Sequence, residues 1–123
     1  MNQNYKQSLP LKIIAMSIDI KTILSELERK IEVLAKTTLK DFSNQGTSDG
    51  KQLLITIKRD LVSWIQELAN GELTKSDFET LLLGQKDLLE MNTLKESGLS
   101  VARINEFKDH VFGLIVHTVT NFV

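Results

Sequence analysis

Cysteine is absent from this 123-residue chain. Its absence excludes disulfides, thiolate nucleophiles and cysteine-based zinc sites. Proline occurs once, at Pro10, and the six glycines fall mostly at breaks between apolar stretches. Such a chain favours long helices over strands and turns. With one Trp and one Tyr, it lacks the aromatic platform on which single-stranded nucleic acid stacks. Neither sign of charge dominates: 15 Lys and Arg stand against 16 Asp and Glu, for a net charge of −1. That balance offers no electrostatic reason to bind nucleic acid or an anionic membrane. No segment reaches the roughly 20 apolar residues of a membrane span. The apolar run Ile13–Ile18 lies between Lys12 and Asp19 without a small-residue cleavage site, so it does not read as a leader. A cytoplasmic location is the default expectation.

What is present is ordinary globular material, 41% hydrophobic and 25% charged, long enough for one domain with a real core. The spacing predicts an all-α fold. A first helix covers about residues 9–42, with Ser8 as cap and Pro10 in the first turn, after a flexible segment 1–8. Its stripe from Ile20 runs through Leu24, Leu27, Ile31 and Leu34. Residues 11–18 are Ile-rich and compatible with strand; continuing the same spacing through Leu9, Ile13 and Met16 reads them as helix. Ser43–Gly50 (SNQGTSDG) reads as the clearest loop. A second helix follows over about 51–69, with Leu54, Ile57, Leu61, Trp64 and Leu68 as its stripe and Ile55, Val62 and Ile65 beside it. Asn70-Gly71 closes it. Thr74 opens a third helix, with Asp77 in a near capping box and Phe78, Leu81, Leu82, Leu88, Leu89 and Met91 as apolar set. Ser97-Gly98 ends it, and Ser100 caps a fourth over about 101–122. Short connections predict an up-down-up-down four-helix bundle over residues 9–123, with a long first helix and coiled-coil-like packing.

The most informative stretch is Val111–Val123 (VFGLIVHTVTNFV), which carries no Asp, Glu, Lys or Arg and is apolar around most of a helix. A surface helix keeps one polar face, so this one belongs in a core, in an oligomer or against lipid. In an up-down bundle, residues 9–20 and 111–123 meet at one end. Leaving their large apolar side chains in water costs roughly 1.5–3 kcal/mol each.

Chemical constellations are thin. Asp41–Gln52 has the length and central glycine of an EF-hand loop, with Asp41, Ser43, Gln45 and Asp49 at ligand positions. Its twelfth residue is Gln where a bidentate Glu is required, so it reads as an ordinary loop. His110 and His117 are seven residues apart, ~10 Å along a helix, too far to share one ion. The Glu-x-x-His motif of di-iron bundles is absent, since Phe107 and Leu114 occupy the positions where one would need a carboxylate. No nucleophile elbow, P-loop or dinucleotide fingerprint occurs. Trp64 follows the stripe of its helix and reads as core. Gln85, Asn92, Asn105 and Thr118 are the only polar residues suited to an interior ligand pocket.

The expectation is therefore a non-enzymatic helical interaction module without cofactor or metal, acting as a homo-oligomer or as a small subunit of a larger assembly. Its contact residues are Val111, Phe112, Leu114, Ile115, Val116, Val119 and Phe122, with Ile13, Ile14, Met16 and Ile18 alongside. The alternative is a membrane-active protein that inserts its uncharged last helix, although that tail is short and lacks a flanking Lys/Arg cluster.

Overall fold

The computed structural model describes the backbone of residues 2–123 and the side chains from Ile20 onward. The described residues are helical throughout, joined by turns, with no strand. Helix α1 spans Asn2–Leu39 and includes residues 11–18, and a 3-10 turn, Lys40–Phe42, follows it. Then come α2 (Ser43–Ala69), α3 (Lys75–Lys86), α4 (Asn92–Glu96) and α5 (Val101–Phe122).

The expected loop at Ser43–Gly50 is instead the start of α2. The chain reverses earlier, in the 3-10 turn, where Lys40 adopts a left-handed φ of 52°. The small and polar residues that resemble a loop serve a different need. Gly46 and Gly50 are buried, and a Cβ on either would overlap Leu39 and Ile31 of α1 respectively. They allow two helix backbones to approach closely, so α2 carries turn-like residues inside a helix.

The third expected helix is two elements. α3 stops at Lys86, residues 87–91 form a turn, and α4 adds a short helical segment. The expected caps of the later helices are in place: Thr74 Oγ1 accepts from the Asp77 amide at 3.0 Å and Ser100 Oγ from the Arg103 amide at 3.3 Å. Ser8, the expected cap of the first helix, instead lies inside α1, which begins at Asn2 and takes in most of the segment expected to be flexible. Gly71 and Gly98 take φ of 75° and 89° at the ends of α2 and α4, a conformation nearly free of cost only for glycine.

α1 packs along α2 and α5, α3 along α5 and α2, and α4 bridges α2 and α5. Contacts between chain segments set the directions. Arg103 at the start of α5 donates to the Thr38 carbonyl at 3.1 Å, and Lys30 donates to the Thr118 hydroxyl at 3.3 Å. α5 therefore runs back along α1 from its C-terminal end. α2 does the same, with Gly50 against Ile31, and Leu54 and Lys58 beside Leu24 and Glu28.

Among the described side chains of α1 the buried positions are Ile23, Leu27, Ile31, Ala35 and Leu39, a constant step of four. They join Leu53, Leu54, Ile57, Leu61 and Ile65 of α2, Phe78 and Leu82 of α3, and Met91, Leu94 and Leu99 around α4 in one core. Several expected core residues lie outside it. Ile55 is 65% exposed and Leu88 75%, and Leu81 is also exposed. Trp64 is half-buried, edge-on to Phe78 with ring centroids 6.3 Å apart.

Candidate contact surface

α5 is the element on which most expected contact residues lie. Val111, Phe112, Ile115 and Val119 are fully buried in the chain's own core, joined by Phe107 and Thr118. Leu114 and Val116 are half-buried against that core, and Phe122 is 40% exposed. The polar face not evident in the uncharged sequence is made by Gly113, His117 and Asn121, all exposed. His117 Nε2 stands 3.1 Å from Asn121 Nδ2, one turn away. Neutral polar groups and a glycine suffice to face water, so α5 is amphipathic without a charge. The side chains of Ile13, Ile14, Met16 and Ile18 lie outside the described residues.

The register shows what surrounds the end of α5. The ring of Phe107 lies near Gly46, which packs on Ala35 and Leu39. Counting back along α1 at 1.5 Å per residue from that level, and from the Lys30–Thr118 bond, brings Val123 level with about Ile20 to Ser25. α1 continues to Asn2, past the end of α5. Residues 9–20 thus stand beyond the last turn of α5, and Phe122 and Val123, 40% and 44% exposed, mark where it stops. α2 stays alongside α1 further, its end reaching about the level of Lys12 by the same count.

Grooves flank α5, two of which hold apolar lining. One, of about 410 Å³, lies between α3 and α5 and is lined by Glu79, Leu83, Asp109, Gly113, Val116 and His117. The other, of about 280 Å³, lies under the α3–α4 turn, with Leu89, Met91, Val101 and Ile104 as its apolar lining. Lys108 reaches across it to donate to the Leu89 carbonyl. Lys86 pairs with Asp109 at 2.8 Å and ties α3 to α5; that hydrogen bond holds its ammonium above the usual lysine range. Asp87, Glu90, Lys95, Asn105 and Lys108 supply the polar lining of the second groove, and Glu79, Asp109, His117 and Thr120 that of the first. Gln85 is half-buried, while Asn92 and Asn105 are exposed, and Thr118 is occupied by Lys30.

Comparison with family models, curated proteins and solved structures finds no match for this chain. Its reading therefore rests on its own geometry.

Among the described residues no three His, Asp or Glu side chains are placed to hold a metal ion, and no helix is long and apolar enough to cross a membrane. Asp49, a ligand position of the EF-hand-like stretch, is 6% exposed and committed elsewhere. Its Oδ1 accepts from the Thr93 amide at 3.1 Å and its Oδ2 from the Leu94 amide at 2.7 Å. It caps α4 from α2. Sequence reasoning missed this role because nothing near Asp49 in the chain signals a helix start more than forty residues later. It also missed the exposure of Ile55, Leu81 and Leu88; for Leu88, the nearby Asp87 and Glu90 are the one local hint.

Proposed function

We propose that the chain is a non-enzymatic interaction module, an up-down helical bundle that works as a homo-oligomer or as a small subunit of a larger assembly. Its contact is the end where α1 outruns α5. The observation that carries this reading is the register: α5 stops level with about Ile20 to Ser25 while α1 continues to Asn2. The sequence there, LPLKIIAMSIDI, places Leu9, Ile13, Met16 and Ile20 on one side of the helix and Leu11, Ile14 and Ile18 on the other. α2 can cover one of those sides. The other is left for a second chain, with Phe122 and Val123 beside it. The four-residue step of the α1 core favours ridges packed into grooves over a heptad seam. Insertion of α5 into a membrane would require its buried seam to leave the core.

Sedimentation of the full-length chain over a range of concentrations, with an apolar-surface dye, tests the reading. An Ile14→Asp/Phe122→Asp variant is expected to keep its helical circular dichroism while losing self-association or dye binding. Ile115→Asp, inside the core, is expected to unfold. A wild-type chain that is monomeric throughout and shows no dye-accessible apolar surface overturns the proposal.

A further inference from the structure

α1 and α2 share the most extensive helix seam in the molecule, yet they are joined by a turn of three residues, Lys40–Phe42. That turn is strained. Lys40 holds a φ of 52°, the only non-glycine at positive φ among the described residues. A left-handed backbone crowds Cβ against the carbonyl and suits glycine rather than lysine. On either side the backbone is already right-handed, with φ −105° and ψ −9° at Leu39 and φ −63° and ψ −38° at Ser43. Residues 35–45, AKTTLKDFSNQ, hold neither glycine nor proline. A change of hand at Lys40, with a smaller adjustment at Phe42, is what separates this turn from a continuous helix.

The junction also lacks a cap. α3 and α5 begin at Thr74 and Ser100, whose side chains accept from the first turn, and α4 takes its acceptors from Asp49. α2 begins after Phe42, which offers no side-chain acceptor. A helix start leaves amides without partners and a helix end leaves carbonyls without them. Joined end to end, α1 and α2 would satisfy each other's. Short hinges under strain favour the exchange of an element between identical copies.

We infer that two copies exchange α1 by straightening this hinge. Each chain then forms one helix from Asn2 to Ala69, about 100 Å long. Its α1 lies on the α2 and α5 of the other copy, antiparallel to that α2 as in the single chain. The occupant is α1 of a second copy because the seam is shaped for that segment: Leu39 lies over Gly46 and Ile31 over Gly50, so closely that a Cβ on either glycine would overlap them. The buried contacts of Ile23, Leu27, Ile31, Ala35 and Leu39 re-form between copies, as do the Lys30–Thr118 and Lys51–Glu32 pairs. Only the hinge changes. There the Thr38 carbonyl, which accepts from Arg103 in the single chain, takes the Phe42 amide of a regular helix instead. The exchange is twofold and closed. It goes beyond the bundle-end contact and needs nothing at that end.

The absence of cysteine supplies a specific test. A Cβ at position 50 lies 3.8 Å from Ile31 Cβ, a separation that suits a disulfide. The full-length chain bearing Ile31→Cys/Gly50→Cys is unfolded, refolded over a range of concentrations and oxidised. Single and exchanged forms both place position 31 beside position 50, and differ only in whether the bond joins one chain or two. A covalent dimer is expected under denaturing, non-reducing conditions, in a share that rises with the concentration at refolding. Lys40→Gly is expected to weaken the dimer about a hundredfold, because glycine relaxes the turn and disfavours a continuous helix at two hinges at once. Lys40→Val, whose branched side chain resists a left-handed backbone, is expected to strengthen it about tenfold. The same two hinge changes in the cysteine-free chain, followed by sedimentation after refolding, are expected to act in the same directions and do not depend on the cysteine variant folding. Intrachain bonds alone at every concentration, or a dimer indifferent to residue 40, overturns the inference. A dimer joined only at the bundle end keeps every 31–50 bond within one chain, so the two contacts fail separately.

Discussion

Asp49 belongs to α2 but does its hydrogen bonding on α4. A helix start leaves four amide N–H groups without partners, and here the Thr93 and Leu94 amides are met by the two oxygens of one buried carboxylate. Five residues do not make a stable helix by themselves, so α4 depends on this cap and on burial of Leu94 and Met91. Asp49→Ala strips the partner from both amides and is expected to lower stability by about 2–3 kcal/mol. Asp49→Asn, with one acceptor oxygen, is expected to fall between the two. Urea unfolding measures the losses, and hydrogen exchange at the Thr93 and Leu94 amides shows where they act. Wild-type stability in both variants would refute the cap. The same residue shows how a sequence misleads: an acidic side chain among Ser, Asn and Gly resembles a loop ligand until the fold brings α4 beside it.

α1 and α2 form the most extensive helix pair, and two glycines sit at its seam. At position 46 an added Cβ would lie 3.3 Å from Ala35 Cβ and 3.4 Å from the Phe107 ring besides overlapping Leu39, and at position 50 it would overlap Ile31. Gly84 and Gly113 are helical too, yet an added Cβ at either meets nothing within 4 Å. Alanine should therefore act in opposite directions on chemically identical substitutions. Gly46→Ala and Gly50→Ala are expected to destabilise by about 1–3 kcal/mol, overpacking outweighing the gain in helix propensity. Gly84→Ala and Gly113→Ala are expected to stabilise by about 0.5–1 kcal/mol. Thermal midpoints of the four variants decide it, and a common sign across all four would contradict the close approach. These glycines also explain what was legible at this scale. Helical class, the caps at Thr74 and Ser100 and the extent of α5 follow from local chemistry, which the sequence displays. The start of α2 does not, because small residues are chosen for a neighbour that local pattern cannot reveal. The break after Lys86 carries neither Gly nor Pro. It is set by the remote Asp49 cap and by the burial of Met91 and Leu94, which an unbroken α3 would carry away from the core.

At the scale of the molecule, the surface ion pairs among the described residues act mainly within helices or between neighbours, and their protonation bounds the pH range of greatest stability. Arg29 holds the Glu26 carboxyl below its ordinary range through two hydrogen bonds of 2.8 and 3.0 Å. Lys36, bonded at 3.1 Å, does the same for Glu32, with Lys51 of α2 adding at 3.6 Å. A depressed carboxylate stabilises the fold fully above the unfolded glutamate value of about 4.3 and loses that contribution as pH falls through its folded value. Lys86 is raised by Asp109, so its contribution is complete below the unfolded lysine value of about 10.4 and is lost as pH rises through the folded one. All these groups face solvent, so the effects are small and shrink in salt. The midpoint of thermal unfolding should therefore be flat through neutrality and decline at both extremes. Glu32→Gln should soften the acid limb alone, since it removes the α1–α2 and intrahelical pairs together, and Lys86→Met the alkaline limb alone, since it releases α3 from α5. If Lys86→Met altered only the acid limb, the α3–α5 pair would not be the group responsible for alkaline loss.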